Sequence, residues 1–243
     1  MKKEKILVFS AHTLDYLWRC GGTIAQYLKN GADVKVVVLS YGEHGESNDV
    51  WKKNPGITVD EVKKIRRKDS DTAAAIMGIT DIEYLDWGDH PMEIGTDRMM
   101  ILARYIMEYQ PTIIISHLSG HKLNRDHCIT ADAVIAALRL AQVSGTYPEL
   151  KSVGWVKLFM FEPAHPEFNG FNPDTYIDIT DTWEIKEKAM QAAAGASQTQ
   201  LINCYIERAN YRGYLARRAS CNPSIKQAEA YMRFNQFVGK EFN

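Results

Sequence analysis

The chain has 243 residues, 45% hydrophobic and 24% charged, with 29 Lys+Arg against 30 Asp+Glu for a formal net charge of −1. That near-neutral balance argues against nucleic-acid binding, which calls for a basic excess, and 8 Pro with 16 Gly argue against a disordered chain. Apolar runs are strand-sized, far short of the roughly 20 residues that span a bilayer. Met1–Lys5 leads into an apolar run too short for a signal sequence, so a cytoplasmic location with no membrane partner is expected. Cys20, Cys128, Cys204 and Cys221 form no C-x-x-C pair and read as four separate thiols.

Strand and helix signals alternate over residues 1–145. Lys5–Ser10 is a continuous apolar run of the kind found in a central parallel strand. Gly21-Gly22 is expected to open a helix running to about Asn30-Gly31, and Val34–Ser40 reads as the second strand. Tyr41–Thr58 is a long polar segment, a common place for function. A helix over Val59–Met77, capped by Thr58 or Asp60 and stopped by Gly78, precedes a strand at Ile82–Leu85. A helix over Thr96–Tyr109, a strand over Thr112–Ser116 and a helix over Asp126–Val143 complete the series.

The pattern predicts an α/β fold: a Rossmann-like parallel sheet with helices on both faces. Residues 146–243 are expected to finish the same single domain as a β-hairpin-like segment (Trp155–Phe161 and Thr175–Ile179, joined by a Pro-rich loop) followed by a mostly helical stretch, Trp183–Phe237. That half also reads as the source of a homo-oligomer contact, with Arg212, Arg217 and Arg218 on its surface.

Ligands of such sheets bind at the carboxyl ends of the strands. Four strand ends carry histidines and acids: Ser10–Asp15, Ser40–Ser47, Asp86–Pro91 and Ser116–His127. His12-x-x-Asp15 offers an imidazole and a carboxylate on one turn, and His127 offers a second imidazole. Two histidines and a carboxylate are a usual ligand set for a catalytic zinc. The alternative reading is a helix-capping Asp15 beside a hydrogen-bonded core His12, with Asp126 as a helix-start acid or a support for the ligands.

Ala11-His12-Thr13-Leu14-Asp15 followed by Gly21-Gly22-Thr23-Ile24-Ala25 resembles the opening of the LmbE-like (PIG-L) zinc deacetylases. Gly42–Glu46, Arg66-Arg67 with Asp69, Gly88-Asp89 and Asp126-His127 extend the resemblance in order over about 180 residues. It implies a Rossmann-like domain with Zn2+, or another divalent ion, on His12, Asp15 and His127. The departures are specific. The family's general-base aspartate is Leu14 here, and the histidine that stabilises the oxyanion is Asn124. One branch, the 4-oxalomesaconate hydratases, is similar at both positions and along Ser10–Gly22, Gly42–Ser47, Phe161-Glu162-Pro163 and Pro173–Thr180.

This second resemblance implies a metal-dependent hydratase that adds water to an unsaturated oxo-polycarboxylate. An N-acetyl-sugar deacetylase is the alternative, and a non-catalytic metal-binding module is the third reading. The expected base is Glu46, then Glu43, with Asn124 and the loop residue His165 as further catalytic candidates. His117 and His121 are candidates to orient a ligand or donate a proton, and His44 and His90 are expected to be exposed. A small anionic substrate requires cations, and Arg19, Arg66, Lys122 and Arg125 are the candidates, with Asp89 as a family-matched substrate contact.

Overall fold

A computed structural model describes residues 3–193 and 198–236. The apolar runs become strands β1 (Lys5–Ser10), β2 (Asp33–Val38), β3 (Asp81–Tyr84), β4 (Ile113–Ser116) and β5 (Lys157–Phe161), all parallel neighbours in the order β3-β2-β1-β4-β5. Strands β6 (Thr175–Asp178) and β7 (Ala228–Arg233) complete a seven-stranded sheet. β1 is central because both its faces are apolar: Ile6 and Val8 enter one core cluster, Leu7 and Phe9 the other.

Helices α1 (Asp15–Lys29), α3 (Val59–Met77) and α6 (Trp183–Ala193) cover the first face, α4 (Thr96–Tyr109) and α5 (Arg125–Ala141) the second. α3 starts at a reciprocal cap, in which Thr58 Oγ1 accepts from the Glu61 amide while Glu61 accepts from the Thr58 amide, and it ends at Gly78. No helix of the described residues is long and apolar enough to cross a membrane.

Five expectations change. α1 starts at Asp15 rather than at Gly21-Gly22, and breaks at Cys20 (φ −140°). The break frees backbone groups, and the C-terminal half satisfies them: Glu229 accepts from the Gly22 and Thr23 amides at 2.9 and 2.8 Å, while Lys186 donates to the Trp18 carbonyl at 2.9 Å and to Glu229 at 2.6 Å. The polar segment after β2 contains a short helix, α2 (Asn48–Lys53).

The stretch expected as mostly helical holds α6, α7 (Leu201–Ser220) and then β7; its last residue, Phe237, lies outside the described residues. β7 inserts between β5 and β6 and pairs antiparallel with both, so the expected hairpin is a three-stranded unit. Arg212, expected at the surface, is buried and bridges to both oxygens of Glu162 at 2.9 and 2.7 Å.

Candidate active site

The chain reverses its direction of sheet growth between β1 and β4, and the loops after these strands meet at the carboxyl edge, as doubly wound sheets require of a ligand site. The β1 loop carries His12 and Asp15; the β4 loop leads through Asn124 to His127 in the first turn of α5. His12 Nδ1 lies 3.2 Å from Asp15 Oδ2 and 3.2 Å from His127 Nε2, and His127 Nε2 lies 3.3 Å from Asp15 Oδ1. All three residues are buried. A tetrahedral ion with bonds of about 2.0–2.1 Å spaces its donors about 3.3 Å apart, so this group fits zinc in chemistry and in spacing.

The surrounding shell holds these donors in place. Asp126 Oδ2 lies 3.3 Å from His12 Nε2, which turns Nδ1 toward the other ligands. The same carboxylate accepts from the His90 and Met92 amides at 3.0 and 2.9 Å. Asp15 accepts from the His12 amide at 2.9 Å and from Arg19 Nε at 3.3 Å. His117 accepts from the Ala11 amide at 2.9 Å and stacks on His127 with ring centroids 4.1 Å apart.

The electrostatics fit a cation site. Burial opposes charge on His12, yet hydrogen bonding to Asp126 and Asp15 and the charges of Asp15 and Glu46 lift its pKa to about 10. Burial also opposes charge on Asp15, but the neighbouring His127 and His117 and the hydrogen bonds to His12 and His127 hold it well below the usual carboxylate range. Burial and then the neighbouring His127 push His117 well below 6.5 and His121 to about 4. Burial likewise lowers His127.

Glu46 is the carboxylate on the open side, with Oε1 3.8 Å from His12 Nδ1 and its side chain a quarter exposed. Gly42, at φ +68°, makes this approach possible: a Cβ there would stand 2.9 Å from Glu46 Cβ and 3.2 Å from His12 Cβ. Asn124 caps α5 by accepting from the His127 amide at 3.2 Å, while its Nδ2 lies 3.4 Å from Glu46 Oε1 and 3.3 Å from His127 Nε2. Leu14, where the deacetylase-like pattern has an acid, is 1% exposed and packs in the core.

A cavity of about 530 Å³ opens beside this cluster, lined by His12, Glu46, His90, Lys122, Asn124 and Arg125 among others. Two of the four expected cations, Lys122 and Arg125, line it. Arg19 and Arg66 are buried and face inward instead: Arg19 donates to the Glu162 carbonyl at 2.8 Å as well as to Asp15, and Arg66 Nε donates to the Tyr41 carbonyl at 3.3 Å.

Glu43 is buried and turned to Lys63, 3.7 Å away, rather than to the cavity. Burial and then Asp89 and Asp86, against a backbone hydrogen bond and Lys63, raise its pKa. Asp89 uses both oxygens on the His44 and Gly45 amides at 2.9 and 2.7 Å, which pins the Glu46 loop. His165 is exposed on the Pro-rich loop and does not line the cavity. Gln198 gave no signal in the sequence: it stands 152 residues from Glu46, in no motif, yet its Nε2 donates to Glu46 Oε2 at 2.9 Å.

A doubly wound sheet with a His-Asp-His group at its switch point defines an α/β domain built around a metal-type site. The chain belongs to the PIG-L family (GlcNAc-PI de-N-acetylase), whose model matches residues 7–138. A 4-oxalmesaconate hydratase from Pseudomonas putida is 38% identical over 216 residues, 89% of this chain and 82% of the relative. A Bacillus anthracis protein named as a probable N-acetyl-alpha-D-glucosaminyl L-malate deacetylase 2 is 29% identical, covering 83% of this chain and 85% of the relative. The crystal structure of GalB, the 4-carboxy-2-hydroxymuconate hydratase from Pseudomonas putida KT2440, superposes with a TM-score of 0.93 at 34% identity, covering 99% of this chain and 100% of that one.

Proposed function

We propose that the chain is a zinc-dependent hydratase that adds water to the carbon–carbon double bond of an unsaturated oxo-polycarboxylate. One observation carries this reading: Glu46 faces His12 from the open cavity, while Leu14 is sealed in the core and an amide, Asn124, stands where the deacetylase-like pattern has an imidazole. Amide hydrolysis must expel a poor leaving group, and base and acid help are each worth about 10²–10⁴-fold. Addition to a conjugated double bond expels nothing, so one carboxylate suffices to handle the proton. The hydratase similarity found both in sequence and in structure, along nearly the whole chain, supports the same choice.

A zinc held by His12, Asp15 and His127 would polarise the oxo-acid end of the substrate and offset the negative charge that builds on its oxygen. Glu46 takes a proton from the attacking water, and the resulting carboxyl holds the proton that the adjacent carbon needs. Asn124 Nδ2 keeps Glu46 Oε1 oriented toward the cluster. Lys122 and Arg125 at the rim bind the remaining carboxylates, the guanidinium in two-point contact.

The test is loss of the conjugated substrate's ultraviolet absorbance on adding zinc-loaded protein at micromolar concentration. An unchanged spectrum overturns the reading. The match to a deacetylase family supports a second reading, in which Glu46 activates water against an N-acetyl-sugar. Release of free amine from an N-acetylglucosamine conjugate, abolished by His12→Ala, would establish it; no release from a broad panel removes it.

A further inference from the structure

We infer that Gln198 is a positioning residue that turns Glu46 so that Oε1, and not Oε2, receives the proton of the reacting water; this rests on the reading of Glu46 as the base. Gln198 is 5% exposed, and both ends of its amide are engaged. Its Oε1 accepts from Trp18 Nε1 at 2.8 Å, and its Nε2 donates to Glu46 Oε2 at 2.9 Å.

The indole N–H of Trp18 can only donate. It therefore fixes which end of the amide is oxygen, because a flipped Gln198 would set N–H against N–H in a buried place. Trp18 is itself immobile: it lies on α1 three residues after Asp15, is 3% exposed and stacks on Tyr205 with ring centroids 5.2 Å apart. The metal-type cluster and the orientation of its base are thus referred to the same helix. Oε2 takes the close amide hydrogen bond from Gln198, while Oε1, which takes only the longer one from Asn124 Nδ2 at 3.4 Å, is the oxygen turned to the cluster, 3.8 Å from His12 Nδ1, with a lone pair left for a water proton. A glutamate at 198 would meet the same indole but would set carboxylate against carboxylate.

Gln198→Met keeps chain length and volume and removes both hydrogen bonds. In zinc-loaded protein we expect kcat to fall about 10- to 100-fold, with KM changed less than about 3-fold and metal content unchanged. Gln198→Met leaves the Trp18 N–H buried without an acceptor and lowers Tm. The double variant Trp18→Phe/Gln198→Met removes that orphan at the expense of a smaller core side chain, and kcat stays low whatever its Tm. A kcat that recovers together with Tm, or a wild-type kcat in Gln198→Met, overturns the inference.

If the unaltered protein turns over no oxo-polycarboxylate, it is the functional reading that fails, and the relay is judged by NMR. In Glu46→Gln the Trp18 indole N–H resonance moves beyond the scatter of the other four tryptophans; an unmoved resonance overturns the inference.

Discussion

Asp126 grips His12 from behind: its Oδ2 stands 3.3 Å from His12 Nε2 and leaves Nδ1 to face Asp15 and His127. The carboxylate is itself anchored by the His90 and Met92 amides, so the ring inherits the rigidity of the loop after β3. Asp126→Asn keeps the shape but weakens the hold and the basicity of the imidazole. Zinc affinity, measured by competition with a chromophoric chelator, is expected to drop about 10- to 100-fold with the fold intact. Wild-type affinity would remove Asp126 from the support of the site.

Glu46→Gln preserves the acceptor toward Gln198 and removes the base. Turnover of the conjugated substrate should fall by about 10²-fold or more at unchanged zinc content. Turnover near the unaltered rate would transfer the base to another strand end.

Glu43 supplies a pH dependence whose sign can be stated. Burial and the nearby Asp89 and Asp86 raise its pKa in the folded chain, so folding favours its protonated form. A carboxyl of this kind costs nothing below its ordinary pKa and destabilises increasingly as pH rises above that value toward and through the folded one. Glu43→Gln should therefore raise Tm at pH 7–8, and the gain should vanish as pH approaches about 4.5. A gain independent of pH would mean that it does not come from removing the charge, and no gain at pH 7–8 would mean that the carboxylate is fully stabilised where it stands.

Gly213 sits where α7 crosses the segment leading into β7. A Cβ there would lie 2.0 Å from the Lys226 carbonyl oxygen, which belongs to backbone and cannot turn aside. Gly213→Ala should cost about 1–3 kcal/mol through overpacking and lower Tm by roughly 3–10 °C. An unchanged thermal transition would show that the two segments part freely.

The grouping of His12, Asp15 and His127 was legible because strand ends are found from apolar runs: His12 and Asp15 stand directly behind β1, and His127 lies in the first turn of the helix that follows β4. α3 was legible because its stop and start residues are local. What escaped was settled at long range. The start of α1 depends on Glu229 and Lys186, which satisfy a helix break more than 160 residues away. Arg19 and Arg212 look like surface cations until Asp15 and Glu162 are placed beside them. β7 reads as part of a helical stretch because its place is set by a gap between β5 and β6, and a gap leaves no periodicity behind.

The cap that Glu229 places on the broken α1 also sets an order of events. Asp15 and Trp18 precede Glu229 by more than 200 residues, yet the helix that carries them is capped at its break by that carboxylate on β7. A growing chain can form β1, β2 and β4 and gather its histidines while the turn that aims Asp15 is still unsecured. The placing of Asp15 beside His12 and His127 is thus secured only once β7 has been made and has entered the sheet.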